Sequence, residues 1–439
     1  SNSMPEMLKE HILAKLSTQE LNTLLQRPKM DFEAVFSIVK PVLERVAQQG
    51  DPAVMHWNTQ FDGQSAHPLV SNPATENATL SASVKQAIDI AFANIERFHR
   101  AQVQPPLQVE TMAGVVCEKH TRGIESVGLY VPGGTAILPS TAMMLAIPAM
   151  IAGCRTRVLA SPPGPDGRLA PEIVYIAQKA GITHLLKAGG AQAIAAMAYG
   201  TQSVPKVDKL FGPGNQYVTA AKMMVQQSEA QVSIDMPAGP SEVLIIADGH
   251  ARPDFVAADL LSQAEHGVDS QVVLLFTPDF AIEELQRELA EQLNVLPRKQ
   301  MAAKALQNSF ALSCMDLASA LDFSNQYAPE HLIINVWEPE KTLPSIQHAG
   351  SVFLGAYTPE SVGDYASGTN HTLPTYGYAR MYSGVHLASF QKSMTVQQLS
   401  ATGLQNVGPT VEILAEREGL QAHKNAVSIR LKHLSSTHE

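Results

Sequence analysis

The spacing of apolar residues changes along this chain, and the change predicts its architecture. In the first hundred residues Phe32, Val35, Phe36 and Val39, then Val84, Ala87, Ile88, Ala91 and Ile95, stand at the spacing of one helix face. A turn-rich stretch, 61–77, separates the two patterns. Before them, residues up to Arg27 predict a short helical appendage, because Ser17 and Glu20 are three apart as in a capping box. From Gly128 to Asp248 the texture differs. Short continuous apolar runs at 128–131, 157–160 and 243–247 alternate with Ala-rich stretches and Gly/Pro turns, which is how βα units on a parallel sheet read. A second set follows, with strands at 271–276 and 331–335 and a helix over 282–293, so two α/β lobes of similar texture are expected. Beyond about Ala388 the pattern is helical again, with 410–418 amphipathic and a polar tail.

Composition narrows the function. The balance of 31 basic and 41 acidic residues gives a net charge of −10, and no basic block of five or more occurs, so a nucleic-acid partner is not expected. A small-molecule ligand suits this chain better. Residues 136–154 are strongly apolar but interrupted by Pro139, Ser140, Thr141 and Pro148, which predicts a buried helix behind a loop and no membrane span. Cys117, Cys154 and Cys314 are odd in number and far apart, as in a reducing compartment, and each is expected to be a small buried hydrophobe. With no apolar leader-like run near Met4, a cytoplasmic location is expected.

Neither G-x-G-x-x-G nor a P-loop is present, so no nucleotide fingerprint can be read directly. Three small-residue turns are substitutes: Tyr130-Val-Pro-Gly-Gly-Thr135, Ala188-Gly-Gly-Ala191 and Phe211-Gly-Pro-Gly-Asn215. Each could present backbone N–H groups to an anion or be a structural turn only. In the second half, Gln263 and His266 stand at i and i+3 near a helix end expected at Gly267, within reach of one divalent ion; a histidine capping the helix dipole is the alternative. Glu330 and His331 follow Pro329 just before a strand, either as an acid/base pair or as a surface carboxylate beside a packed ring. Gly350-Ser-Val-Phe-Leu-Gly355 and 361–371 read as a long Gly/Ser/Thr loop carrying Asp364 and His371. Glu418 and His423 lie near the C-terminus, where a solvated helical face would account for both.

Five runs in order resemble the histidinol dehydrogenase family: 211–222, 235–244, 260–267, Tyr327-Ala-Pro-Glu-His331 and 363–374. The resemblance extends from roughly Asp31 to the C-terminus. It implies NAD-dependent oxidation of L-histidinol through L-histidinaldehyde to L-histidine, the last steps of histidine biosynthesis, with one Zn2+ per subunit. The zinc ligands it implies are Gln263, His266, Asp364 and His423, a donor set suited to a borderline ion although glutamine is an uncommon ligand. The acid/base pair falls on Glu330 and His331. Substrate contacts fall on Ser241 and Glu418 besides Gln263, His266, His331, Asp364 and His423; NAD contacts fall on Tyr130, Gln192 and Asn215. It assigns no role to His371.

The fold implied by the family is α/β: two incomplete Rossmann-like lobes with parallel sheets, flanked by small N- and C-terminal helical segments. On this chain the expected division is 1–27 as the N-terminal segment, 28–129 with 240–385 as the lobe carrying most of the metal and catalytic site, 130–239 as the NAD-binding lobe, and 386–439 as the C-terminal segment. The expected assembly is a homodimer in which that last segment completes the partner chain's site. From residue chemistry alone, a zinc hydrolase or a non-catalytic binding protein on the same scaffold would also accommodate these side chains.

Overall fold

A computed structural model describes residues 6–28, 30–63, 65–133 and 138–437. Two six-stranded sheets of matching topology form its frame. In the first, the strand order is Val70–Ser71, His184–Lys187, Thr156–Ser161, Ser126–Tyr130, Lys209–Phe211 and Ser233–Ile234; all pairs are parallel except that of Val70–Ser71. In the second it is Lys9–Ile12, Phe310–Ser313, Gln271–Phe276, Glu242–Ala247, His331–Asn335 and Ser351–Leu354, all parallel. Leaving out each outermost first strand, both sheets run 3-2-1-4-5 in chain order, a Rossmann arrangement lacking its sixth strand, with its reversal beside the first strand. These central strands are apolar runs because helices cover both faces: every residue of Glu242–Ala247 is buried.

The expected lobes are present, but their helical cover is distributed differently. Helices Phe32–Gln49 and Asp51–Asp62 pack on Gly190–Tyr199 of the first lobe, with Val35, Val39, Val42 and Val46 in one core with Val158, Ile194 and Leu210. Ala82–Arg100 packs on Pro139–Ala152 of that same lobe. Grouping 28–129 with 240–385 is therefore corrected: this stretch supplies the outer layer and the strand Ser126–Tyr130 of the other lobe. An amphipathic face states that it must be buried, not against which sheet.

Three further expectations change. The N-terminal segment is not wholly helical, since Lys9–Ile12 adds to the second sheet beside Phe310–Ser313 and Leu8 is fully buried. The C-terminal segment begins with the strand Gln391–Leu399, paired antiparallel with Val115–Gly123, which in turn pairs with Leu107–Met112. That strand escapes pattern reading because it is mostly exposed and does not alternate. The stretch expected as a long loop contains Ser351–Leu354 and the short helix Glu360–Tyr365. By contrast, Pro139–Ala152 is the buried helix expected, and the Ser17–Glu20 capping box is formed. Among the described residues, no helix is long and apolar enough to cross a membrane. Cys154 and Cys314 are buried as expected, whereas Cys117 is half-buried.

Candidate active site

The two lobes place their chemistry at opposite ends of their strands. In the first lobe a cavity of about 1140 Å³ lies at the carboxyl ends, lined by Tyr130, Ser161, Gly189, Gln192 and Asn215. It falls at the reversal between Ser126–Tyr130 and Lys209–Phe211, where doubly wound sheets open a crevice. The strands approach closely there: Gly212 has φ +124°, and a Cβ on it would overlap the carbonyl oxygen of Tyr130. Lys222 and Asp235 pin this turn. Lys222 Nζ donates to Gly212 O at 2.8 Å and to Asp235 Oδ1 at 2.5 Å, and Gly212 N–H donates to Asp235 Oδ2 at 2.9 Å.

All three residues expected to contact a nucleotide line the cavity, and their hydrogen bonds define what each still offers. Tyr130 Oη accepts from Gly190 N–H at 2.9 Å, leaving its own proton to donate. Gln192 Nε2 donates to Asn58 Oδ1 at 3.0 Å, leaving Oε1 buried without a partner. Asn215 Oδ1 caps the helix Gln216–Gln226 by accepting from Tyr217 and Val218 N–H, leaving its NH₂ free. The cavity thus presents donors and an acceptor to a hydroxyl-rich ligand. Gly134 and Thr135 of the first expected turn lie outside the described residues.

The second cluster sits at the amino ends of the other sheet, around His331 as the first residue of its strand. Glu330 precedes the strand in a turn, so it is not forced to the opposite face and its Oε1 lies 3.2 Å from His331 Nδ1. Glu360 Oε2 lies 3.3 Å from Nδ1, and Asp364 Oδ1 lies 3.4 Å from Nε2. The Glu242 carbonyl, 3.0 Å from Nδ1, can only accept, so Nδ1 carries a proton and exchange with a substrate runs through Nε2. Burial alone would lower the His331 imidazole, but Glu360, Glu330 and Asp364 outweigh it and hold it well above its ordinary value. Burial pushes the Glu360 carboxyl up to about 8, against the opposing pull of His331. Burial also raises Glu330, partly offset by His331.

Gln263 and His266 join this cluster from the end of the helix Pro253–Ala264. The helix stops before the expected Gly267, but a final turn closed by His266 N–H on Gln263 O at 3.1 Å preserves their spacing. Gln263 is fully buried and its Oε1 has no hydrogen-bond partner. Among the described residues, ligand atoms of His266, Glu360 and Asp364 lie within 4.8 Å of one another. His266 is exposed, yet desolvation beside the cluster shifts its imidazole down, against the pull of Asp364 and toward the neutral form that binds a metal. An orphaned amide oxygen, a neutral imidazole and carboxylates form a donor set that fits a divalent ion.

Ser241 is half-buried immediately before Glu242. Glu418 and His423 are exposed on the terminal helical pair, Ala401–Arg417 and Gln421–Ser436, whose second helix buries no residue. Among the described residues, no hydrogen bond or ion pair joins this pair to the His331 cluster within one chain. His371 bridges the lobes: Nδ1 lies 2.8 Å from Asp364 O and Nε2 lies 3.2 Å from Thr141 Oγ1. Sequence reading missed Glu360, Glu242 and Arg27. For Glu242 a signal existed, a carboxylate opening an otherwise apolar buried strand; for Arg27 and Glu360 there was none.

Two incomplete Rossmann-like lobes, one with a large crevice at its reversal point and the other with an imidazole among carboxylates, define the class as a two-lobed α/β enzyme. Residues 25–431 match the family model described as histidinol dehydrogenase. The chain is 57% identical over 431 residues to the chloroplastic histidinol dehydrogenase of Arabidopsis thaliana, covering 98% of this chain and 92% of that one. It is 53% identical over 432 residues to the histidine biosynthesis trifunctional protein of Komagataella pastoris, covering 96% of this chain and 51% of that protein. The crystal structure of histidinol dehydrogenase from Elizabethkingia anophelis superposes with a TM-score of 0.95 at 47% identity, over 99% of this chain and 100% of the other. The chain belongs to the histidinol dehydrogenase family, which catalyses the final steps of histidine biosynthesis.

Proposed function

We propose that this chain oxidises L-histidinol to L-histidinaldehyde and then to L-histidine in one site, consuming two NAD and one water. The observation that carries the reading is His331, with Nδ1 held by the Glu242 carbonyl and Nε2 buried without a hydrogen-bond partner, 3.4 Å from Asp364 Oδ1, and so left to exchange a proton with the substrate. Zinc held by Gln263, His266, Asp364 and the partner subunit's His423 would supply a fixed positive charge that orients the substrate, and NAD bound against Tyr130, Gln192 and Asn215 would accept the hydride. With zinc bound at Asp364, part of the carboxylate charge that raises His331 would be neutralised, and its unprotonated Nε2 would then take the hydroxyl proton in the first oxidation. Glu330 removes a proton from the water that adds to the aldehyde in the second. Base assistance of this kind contributes roughly 10²–10⁴ in rate.

Glu418 and His423 act from the partner chain of a homodimer, which gives an exposed terminal pair a reason to carry a carboxylate and an imidazole; Glu418 and Ser241 hold the substrate. Three free cysteines suit a reducing compartment, in line with a cytoplasmic location. The deciding experiment follows NADH with L-histidinol, with and without a chelator. Two NADH per histidinol, abolished by metal removal, is the expected result; a ratio near one with free aldehyde accumulating would contradict the single-site reading.

A further inference from the structure

Glu242 touches both members of the acid/base pair through its backbone. Its carbonyl accepts from His331 Nδ1 at 3.0 Å, and its N–H donates to Glu330 Oε1 at 3.0 Å. Its own side chain accepts from the N–H of Glu330 at 3.3 Å. That side chain is only 1% exposed, and its charge is met by Arg27, itself 7% exposed, which reaches in from the N-terminal segment. The guanidinium grips it with both arms, Nε to Oε2 at 2.9 Å and Nη2 to Oε1 at 2.8 Å.

Arg27 holds the other side of the pair as well. Its Nη2 lies 3.4 Å from the carbonyl of Ala328, and its guanidinium lies 3.3 Å over the ring of Tyr327. Ala328 has φ +53°, a left-handed conformation that an alanine keeps only when its surroundings over-determine it. This turn, continued by Pro329, delivers Glu330 ahead of the strand. Tyr327 is fixed in turn by donating to Gln271 Oε1 at 2.6 Å. One guanidinium therefore ties the start of the Glu242 strand to the turn that carries Glu330, and a buried ion pair that served stability alone would not need both attachments.

We propose that Arg27 and Glu242 are positioning residues that hold Glu330 and His331 in register for both oxidation steps. This rests on the reaction proposed above, so the test needs one readout that depends on that reaction and one that does not. Arg27→Met keeps bulk and removes the fork; Arg27→Lys keeps the charge but cannot grip bidentately, and remains usable should the first variant fail to fold. Well below the unfolding temperature, the folded variant should lose roughly 10- to 100-fold in kcat for both histidinol and histidinaldehyde, with KM for histidinol and NAD nearly unchanged. Amide hydrogen exchange should accelerate at Glu242 and Glu330 while 243–247 stays protected, whatever substrate the enzyme takes. A wild-type enzyme that makes no NADH from histidinol would count against the proposed reaction and leave the exchange test to decide the clamp. Unchanged protection at Glu242 and Glu330, or wild-type kcat with only a lowered Tm, would overturn it, as would a loss confined to one of the two oxidations.

Discussion

The hydroxyl of Thr141 lies 3.2 Å from Nε2 of His371, on whose other side Nδ1 meets the carbonyl of Asp364 at 2.8 Å. A carbonyl only accepts, so Nδ1 carries the ring proton, and burial keeps the imidazole neutral. Nε2 then accepts from the threonine. A helix of the first lobe therefore orients the backbone of a residue in the cluster of the second.

Thr141→Val should leave Nε2 of His371 buried without a donor, at a cost of about 1–3 kcal/mol. We expect faster metal loss on dialysis and roughly tenfold lower activity, with NAD affinity unchanged. Metal content after dialysis and an NAD titration check this; unaltered metal retention would mean the bridge does not support Asp364.

Glu330→Gln keeps shape but removes the base for water. Aldehyde oxidation should fall far more than the first hydride transfer, whereas His331→Asn should slow alcohol oxidation. Equal losses in both half-reactions for both variants would sink the division of roles.

If the partner's His423 completes each site, mixed dimers of Asp364→Ala and His423→Ala chains collect both lesions in one site and leave the other intact. Refolding the mixture should recover up to roughly a quarter of wild-type activity, since half the dimers are mixed and each has one good site. A mixture as inactive as its parents, when refolded wild type recovers, would place all ligands in one chain.

Lys187 Nζ pairs with Glu76 Oε1 at 2.6 Å, with both side chains largely buried. Burial alone would raise the Glu76 carboxyl, but the Lys187 ammonium beside it holds it below its usual range. A depressed carboxylate contributes stability that is present above its unfolded pKa and is lost as pH falls through the folded one. Glu76→Gln should therefore cost about 3 kcal/mol near neutral pH, where it strands the Lys187 ammonium, and much less in acid. Denaturant midpoints across that range provide the measurement.

Burial pushes the Cys154 thiol up to about 11 and that of Cys314 up to about 12. At about pH 8 the thiolate fraction of either is very small, so a thiol reagent should modify folded protein at Cys117 alone. Rapid labelling of Cys154 or Cys314 before unfolding, read by mass spectrometry, would contradict their burial.

Local chemistry along the chain specified the elements and the family. Continuous apolar runs such as Val243–Ala247 stated that two parallel sheets were present, because a strand covered on both faces has no polar side to alternate with. Motifs in fixed order named the family, and spacing put Gln263 beside His266 because one turn of backbone separates them. Which sheet the helices around Val35 and Ile88 cover emerged only on folding, since an amphipathic face carries no address. Folding also decided that Lys9–Ile12 and Gln391–Leu399 would be strands, because edge pairing comes from backbone groups that leave little trace in side-chain pattern. Arg27, Glu242 and Glu330 lie far apart in the chain, and their meeting depends on a strand register and a left-handed turn that no local window contains. The same holds for Thr141 and His371, 230 residues apart, which the packing of one lobe on the other brings within a single hydrogen bond.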